Sequence, residues 1–171
     1  PTAPDVFLYT NICLHLLNGC LLIAMLLLLG RANKAISRQS AYLAIIAGTL
    51  WLLLPIHVSS TLMIVQRMNL LAGTFTLLGI CAYLYCRQGI YQHPTQALFG
   101  MTASIGLGTI LAALSKENGA LLPTLILVIE LTLLNRPANI TRKVWLTWGG
   151  LILLPPTLLI AGYLATRLDY N

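Results

Sequence analysis

An all-α polytopic bundle of transmembrane helices is the fold that this sequence predicts. Of the 171 residues, 58% are hydrophobic and only 8% are charged, whereas a soluble domain carries about 25% charged residues. A span needs roughly 20 apolar residues, so the chain has room for about six spans joined by short loops. Because backbone polar groups cannot face lipid unpaired, these apolar runs should be helical. We expect residues 1–171 to form a single transmembrane region.

Six apolar runs divide the chain, and each predicts one span. The predicted spans cover residues 7–29, 40–57, 68–86, 97–115, 119–134 and 144–165. The fifth of these is short for a span. Small residues in the fourth run predict close packing of that helix against a neighbour; they are Gly100, Ala103, Ser104 and Gly108.

The loops between these spans differ in charge from one side of the membrane to the other. Side two comprises residues 30–39, 86–96 and 135–143, and side one comprises the N-terminal segment, residues 57–68, residues 115–118 and the C-terminal tail. Of the 10 Lys and Arg residues, seven fall on side two and three on side one. The positive-inside rule therefore predicts a cytoplasmic side two. The net charge of +6 is explained by basic loops that set the orientation in the membrane. We therefore expect no nucleic-acid partner.

A first group of polar residues interrupts the first span near side one. Asn11, His15 and Asn18 follow an i, i+4, i+7 spacing and share one helix face. Polar groups inside spans are costly and often mark function. They also serve as interhelical hydrogen bonds that only hold a bundle together, and the sequence leaves both interpretations open.

Two further polar groups lie on side one. Residues 57–67 include His57, Gln66 and Arg67, and could equally form an interfacial loop with an arginine that reaches the headgroups. Residues 115–118 (Ser-Lys-Glu-Asn) are either a tight polar turn or part of a cavity that binds a charged ligand. If His57, Arg67 and Lys116 converge, they could hold an anion such as phosphate.

Other polar residues predict structure rather than chemistry. Glu130 lies near the side-two end of the fifth run, where Arg136 is its expected partner. The four cysteines lie within apolar runs without a set of His ligands, which predicts packed thiols and no metal site. The chain has no nucleophile elbow, no zinc-protease motif and no P-loop.

Three segments resemble a known family of membrane enzymes. They are TNICLHLLNG at 10–19, PIHVSSTLMIVQRMNLLAGTFTLLGICAYLYCR at 55–87 and LSKENGALLPTLILVIE at 114–130. Together they resemble the membrane region of bacterial TPR-containing proteins of the GT-C glycosyltransferase type, which are similar to the transmembrane-and-TPR O-mannosyltransferases. The family pattern often has His-Pro where this chain has Leu54-Pro55.

The resemblance implies a membrane glycosyltransferase. Such an enzyme moves a sugar from a polyprenyl-phosphate donor to a hydroxyl of a protein or other acceptor, on the non-cytoplasmic face of the bacterial inner membrane. It implies contacts to the donor phosphate from His57, Gln66, Arg67 and Lys116. Glu117 would orient Lys116 or assist a divalent metal, and Asn118, Asn11, His15 and Asn18 would support the site.

The resemblance also places the catalytic acid on an upstream loop and a soluble TPR region downstream. The chain is accordingly expected to be a fragment of a longer protein, and no catalytic residue is assigned within it. The expected partners are the lipid bilayer, the lipid-linked sugar, a protein acceptor and other subunits, with no resident cofactor assigned.

Two other functions remain open on the sequence. The bundle could be a non-catalytic membrane subunit that scaffolds a larger complex. It could also be a transporter or lipid flippase, although that function favours broken helices with substrate groups at mid-depth. The polar groups here gather toward one face instead.

Overall fold

The computed structural model describes residues 4–32, 38–54, 66–158 and residue 162. Within these ranges every regular element is helical, so the predicted all-α fold is confirmed. The longer α-helices are α1 (Pro4–Ala32), α2 (Arg38–Leu52), α3 (Arg67–Gln88), α4 (Pro94–Ser115), α5 (Leu122–Thr132) and α6 (Arg142–Ile152). Short 3₁₀ turns at Gly89–Tyr91 and Glu117–Leu121 follow α3 and α4.

Three of these helices are long and apolar enough to cross a membrane: the candidate spans are Leu8–Ala32, Arg67–Tyr91 and Pro94–Ser115. With a rise of about 1.5 Å per residue, a helix of 22 residues such as α3 reaches about 33 Å, and the hydrocarbon core is about 30 Å thick. Helices α5 and α6 have 11 residues each and reach only about 17 Å. The prediction of about six spans is therefore not confirmed for the described residues.

The outer surface of the helices is apolar. Phe99, Leu114 and Leu131 each expose more than three quarters of their side chains. A soluble monomer rarely exposes large contiguous apolar patches, whereas lipid tails solvate such side chains without cost. The chain is a membrane protein with helices suited to span the bilayer.

Hydrogen bonds between helices define their relative directions. Asn18 on α1 donates to the Leu70 carbonyl at the start of α3 (3.0 Å), and Gln88 at the end of α3 donates to the Leu28 carbonyl near the end of α1 (3.3 Å). Helices α1 and α3 therefore run parallel. Lys116, just after α4, reaches Asn69 in the first turn of α3, so α4 runs antiparallel to both.

Small residues bring α3 and α4 close together, as the fourth run predicted. A Cβ added to Gly108 would lie 3.1 Å from the Gly79 Cα, and one added to Gly100 would lie 2.7 Å from the Cys86 sulfur. Without side chains at Gly79 and Gly108, the two backbones approach directly. Ser104 turns its hydroxyl inward to the Gly100 carbonyl of its own helix, at 2.7 Å.

The apolar core lies toward side two. Tyr83 and Leu84 of α3, Met101 of α4, and Leu122 and Ile126 of α5 are fully buried within it. Trp148 of α6 donates to the Thr102 hydroxyl of α4 at 2.9 Å, and Asn139 donates to the Ile90 carbonyl at 2.6 Å. These bonds join α6 to α4 and join the segment before α6 to the turn that follows α3.

A buried ion pair holds α3 to α5, and it corrects the expected partner of Glu130. Arg87, not Arg136, pairs with Glu130, through Nε to Oε1 at 2.5 Å and Nη2 to Oε2 at 3.1 Å. Tyr83 donates to the same carboxylate at 2.6 Å, and Arg87 also donates to the Asn135 carbonyl at 2.8 Å. Arg136 is exposed, whereas the paired side chains of Arg87 and Glu130 are 5% and 8% exposed.

Replacing Arg87 by Ala should strongly destabilise the protein, because it leaves the Glu130 carboxylate buried without a cation. Breaking a buried pair in this way costs about 3–5 kcal/mol. The matched variant Arg136→Ala removes an exposed arginine and should change stability by less than about 0.5 kcal/mol. Denaturant unfolding of the purified protein in detergent, followed by tryptophan fluorescence, measures both. A stable Arg87→Ala beside a destabilised Arg136→Ala would contradict the assigned pair.

Candidate functional site

A polar cavity lies at side one, where α3 begins and α4 ends. It encloses about 400 Å³ and is lined by Gln66, Met68, Asn69, Ser115, Lys116 and Glu117. We call it the Lys116 cavity. It combines one cation, one carboxylate and two carboxamides in a chain that is otherwise strongly apolar.

Helix α4 ends at Ser115, and the next residue, Lys116, reaches toward the start of α3. Lys116 has an extended backbone (φ −162°, ψ 146°) directly after the last helical residue, Ser115. Its N–H still donates to the Ala112 carbonyl at 2.9 Å, and its own carbonyl accepts from the Gly119 N–H at 2.8 Å. Hydrogen bonds from both its N–H and its carbonyl therefore fix the backbone of Lys116.

Gly119 allows the turn to fold back onto α4. A Cβ at this position would lie 2.2 Å from the Ala112 carbonyl carbon and 2.3 Å from its oxygen. These are backbone atoms, which cannot move aside as the end of a flexible side chain can. The polar turn at 115–118 therefore depends on the glycine that follows it.

Two consecutive hydrogen bonds connect three side chains that line the cavity. The Lys116 ammonium donates to the Asn69 side-chain carbonyl, and the Asn69 amide nitrogen donates to the Gln66 side-chain carbonyl. Among the residues that the structure describes, no carboxylate pairs with Lys116. Within this part of the chain, the Lys116 ammonium is held by a neutral acceptor.

The structure brings together part of the predicted phosphate-binding set. Gln66 and Lys116 line the cavity, with Glu117 exposed at its rim, and Asn118 is exposed in the adjoining turn. Arg67 is the first residue of α3 but is not among the lining residues. His57 lies outside the described residues.

The three polar residues of α1 are buried between helices. Asn11 is 1% exposed and Asn18 is 3% exposed. His15 Nε2 donates to the Leu52 carbonyl at the end of α2 (3.1 Å), and its ring stacks on Trp51 at 5.3 Å between centroids. Because His15 and Asn18 bond to the backbone of neighbouring helices, the geometry favours interhelical fastening for them.

Asn69 is the site residue that the sequence prediction missed. It follows Gln66 by one helical turn, so the two side chains lie on one face. That spacing was visible in the sequence, but an asparagine beside a predicted span has many roles. The role of Asn69 becomes visible only in the structure, where it accepts a hydrogen bond from Lys116, 47 residues further along the chain.

A second cavity lies at side two, around the turn between α3 and α4. It encloses about 510 Å³, and its polar lining consists of Tyr85, Gln88, Gln92, His93 and Gln96. It contains no Lys or Arg, so it is a weaker match to a phosphate than the Lys116 cavity. Within the described part of the chain, no three His, Cys, Asp or Glu residues lie together as metal ligands.

Comparison of the chain with protein-family models, with curated proteins and with solved structures finds no match. The functional assignment therefore depends on the residues themselves and on their geometry.

Replacing Gly119 by Ala should displace the polar turn and destabilise the protein. The added methyl group collides with the Ala112 carbonyl, and overpacking of this kind costs about 1–3 kcal/mol. The matched variant is Gly106→Ala in α4, where no atom lies within 4 Å of the added Cβ. That variant should be neutral or gain about 0.5–1 kcal/mol, because alanine favours helices. Unfolding midpoints in detergent distinguish the two, and equal midpoints would contradict the close contact.

Proposed function

We propose that this chain is a membrane module of a glycosyltransferase that uses a polyprenyl-phosphate-linked sugar. In this proposal the donor phosphate binds in the Lys116 cavity. The observation that carries the proposal is the lysine itself, whose ammonium lines a polar cavity at the end of two spans and forms no ion pair with a carboxylate of the described residues. A cation that a neutral acceptor holds in such a place favours an anionic ligand.

The position of the cavity suits a phosphate attached to a lipid. It lies at the ends of α3 and α4, where a bilayer meets water, and Met68 lines it with a side chain that is 55% exposed. Leu114, directly before the polar turn, is 81% exposed. A polyprenyl chain could lie along such apolar side chains while its phosphate reaches Lys116.

Charge development explains why a lysine would assist the reaction. An acceptor hydroxyl attacks the anomeric carbon of the sugar, the bond from that carbon to the phosphate oxygen breaks, and a carboxylate base takes the hydroxyl proton. The leaving lipid phosphate gains negative charge as the bond breaks. A positioned ammonium group stabilises that charge more in the transition state than in the bound donor.

Replacing Lys116 by Ala in the full-length protein should lower sugar transfer by about 100-fold or more, the typical loss on removing one group that stabilises a developing anion. The assay supplies labelled polyprenyl-phosphate mannose or glucose and measures label transferred to protein. The control Lys143→Ala removes an exposed lysine on α6 and should leave transfer unchanged. The variant Arg67→Ala tests the contact between Arg67 and the donor phosphate, which only the family resemblance implies. Transfer at the wild-type rate by Lys116→Ala would overturn the site assignment.

The proposal includes an orientation in which side one faces away from the cytoplasm of a bacterial inner membrane. It predicts that a thiol at position 118 is accessible from the periplasm and one at position 142 is not. Asn118→Cys and Arg142→Cys, each made after replacing the four natural cysteines, are treated with a membrane-impermeant thiol reagent. Position 142 should react only after the cells are permeabilised. The opposite pattern would reverse the orientation.

A non-catalytic scaffold is the competing function. It predicts that the protein purifies in fixed stoichiometry with other subunits and that Lys116→Ala leaves the complex and its activity intact. The transfer assay and the composition of the purified complex therefore separate the two functions.

A further inference from the structure

The hydrogen bonds at the Lys116 cavity can run in only one direction. A lysine ammonium has three donors and no acceptor, so Asn69 must turn its carbonyl oxygen toward Lys116. The amide nitrogen of Asn69 then faces Gln66, which must present its own oxygen. The charge of one residue thus determines the orientation of both amides.

Apart from the Glu117 carboxylate at the rim, the polar groups that a ligand would meet are mainly the N–H groups that these two hydrogen bonds leave unused. Lys116 has two more N–H donors, Asn69 has one and Gln66 has two, while both amide oxygens are already engaged. A wall of this kind offers hydrogen bonds to a ligand rich in acceptors. Phosphate oxygens fit it better than a cation or an alcohol.

Asn69 also limits the motion of Lys116. A lysine side chain has four rotatable bonds and is strongly hydrated when free, and ordering it during binding would weaken the affinity. Because Asn69 lies in the first turn of α3, its position is set by the helix. The bond to Asn69 therefore orders the ammonium before any ligand arrives.

We infer that Asn69 is a positioning residue that holds the Lys116 ammonium and orients the Gln66 amide, so that the cavity accepts a phosphate oxyanion. The inference rests on the proposed function for the identity of that phosphate, which would belong to the lipid-linked donor. The same hydrogen-bond chemistry would recognise free phosphate, and the experiment separates the two sources.

A double-mutant cycle on the full-length protein in detergent tests this role. The probes are a polyprenyl monophosphate, the corresponding polyprenol and inorganic phosphate, and the variants are Asn69→Ala, Lys116→Ala and their combination. We expect each single variant to weaken binding of the polyprenyl monophosphate by about tenfold, equivalent to about 1.4 kcal/mol. The double variant should bind at most about threefold more weakly than Lys116→Ala alone, far less than the product of the two single losses, because Asn69 acts mainly through Lys116.

Three controls keep the cycle interpretable. Asn135→Ala removes an exposed amide at side two, where only the backbone carbonyl is bonded to Arg87, and it should bind as the wild type does. Gln66→Ala leaves the Lys116–Asn69 bond in place and should weaken binding by only about threefold, so it reports on the site if Asn69→Ala fails to fold. Polyprenol, which lacks the phosphate, should bind weakly and equally to all variants.

The remaining outcomes separate this inference from the proposed function. Competition by inorganic phosphate would support recognition of the phosphate group alone, and binding without such competition would support recognition of a lipid-linked phosphate. Multiplied losses in the double variant, or unchanged binding by Asn69→Ala, would overturn the role of Asn69 while a transfer defect in Lys116→Ala still stood. Conversely, coupled phosphate binding together with unimpaired sugar transfer would retain the site and remove the glycosyltransferase function.

Discussion

The ion pair of Arg87 and Glu130 holds α5, and the segment that follows it, against α3. Helix α5 has only 11 residues, so it has little surface of its own with which to pack against the long helices. Its single carboxylate receives two bonds from Arg87 and one from Tyr83, both on α3. Because neither lipid nor the apolar core can solvate a charge, α5 must keep Glu130 against α3.

The same arginine fixes the segment that follows α5. Its Nη2 donates to the Asn135 carbonyl at 2.8 Å, and its guanidinium lies 5.7 Å from the centre of the Trp145 ring of α6. The 135–141 segment and α6 are thereby placed by the last turn of α3. Apolar packing of Leu134, Ile140 and Leu153 then completes the core around that arrangement.

Arg87 at the end of α3 and Lys116 beside the start of α3 are held in different ways. Arg87 meets a carboxylate and its charge is cancelled within the fold, whereas Lys116 meets the neutral amide of Asn69. An amide oxygen satisfies a hydrogen bond but leaves the positive charge in place. The first arrangement stabilises the contact between helices, and the second agrees with the proposed binding of a phosphate.

The sequence by itself determined the helical class, the lipid-facing surface and the polar turn at 115–118, because hydrophobicity belongs to each residue wherever it lies. The family resemblance also assigned Gln66, Arg67, Lys116 and Glu117 to one site. Gln66, Lys116 and Glu117 line one cavity, whereas Arg67 is not among its lining residues. Only the tertiary structure decided which groups are bonded. Glu130 has Arg136 six residues away but pairs with Arg87, 43 residues distant, and Lys116 reaches Asn69 across 47 residues. The partner of each group depends on which side chains separate helices bring together in space. A local sequence pattern contains no information about that arrangement.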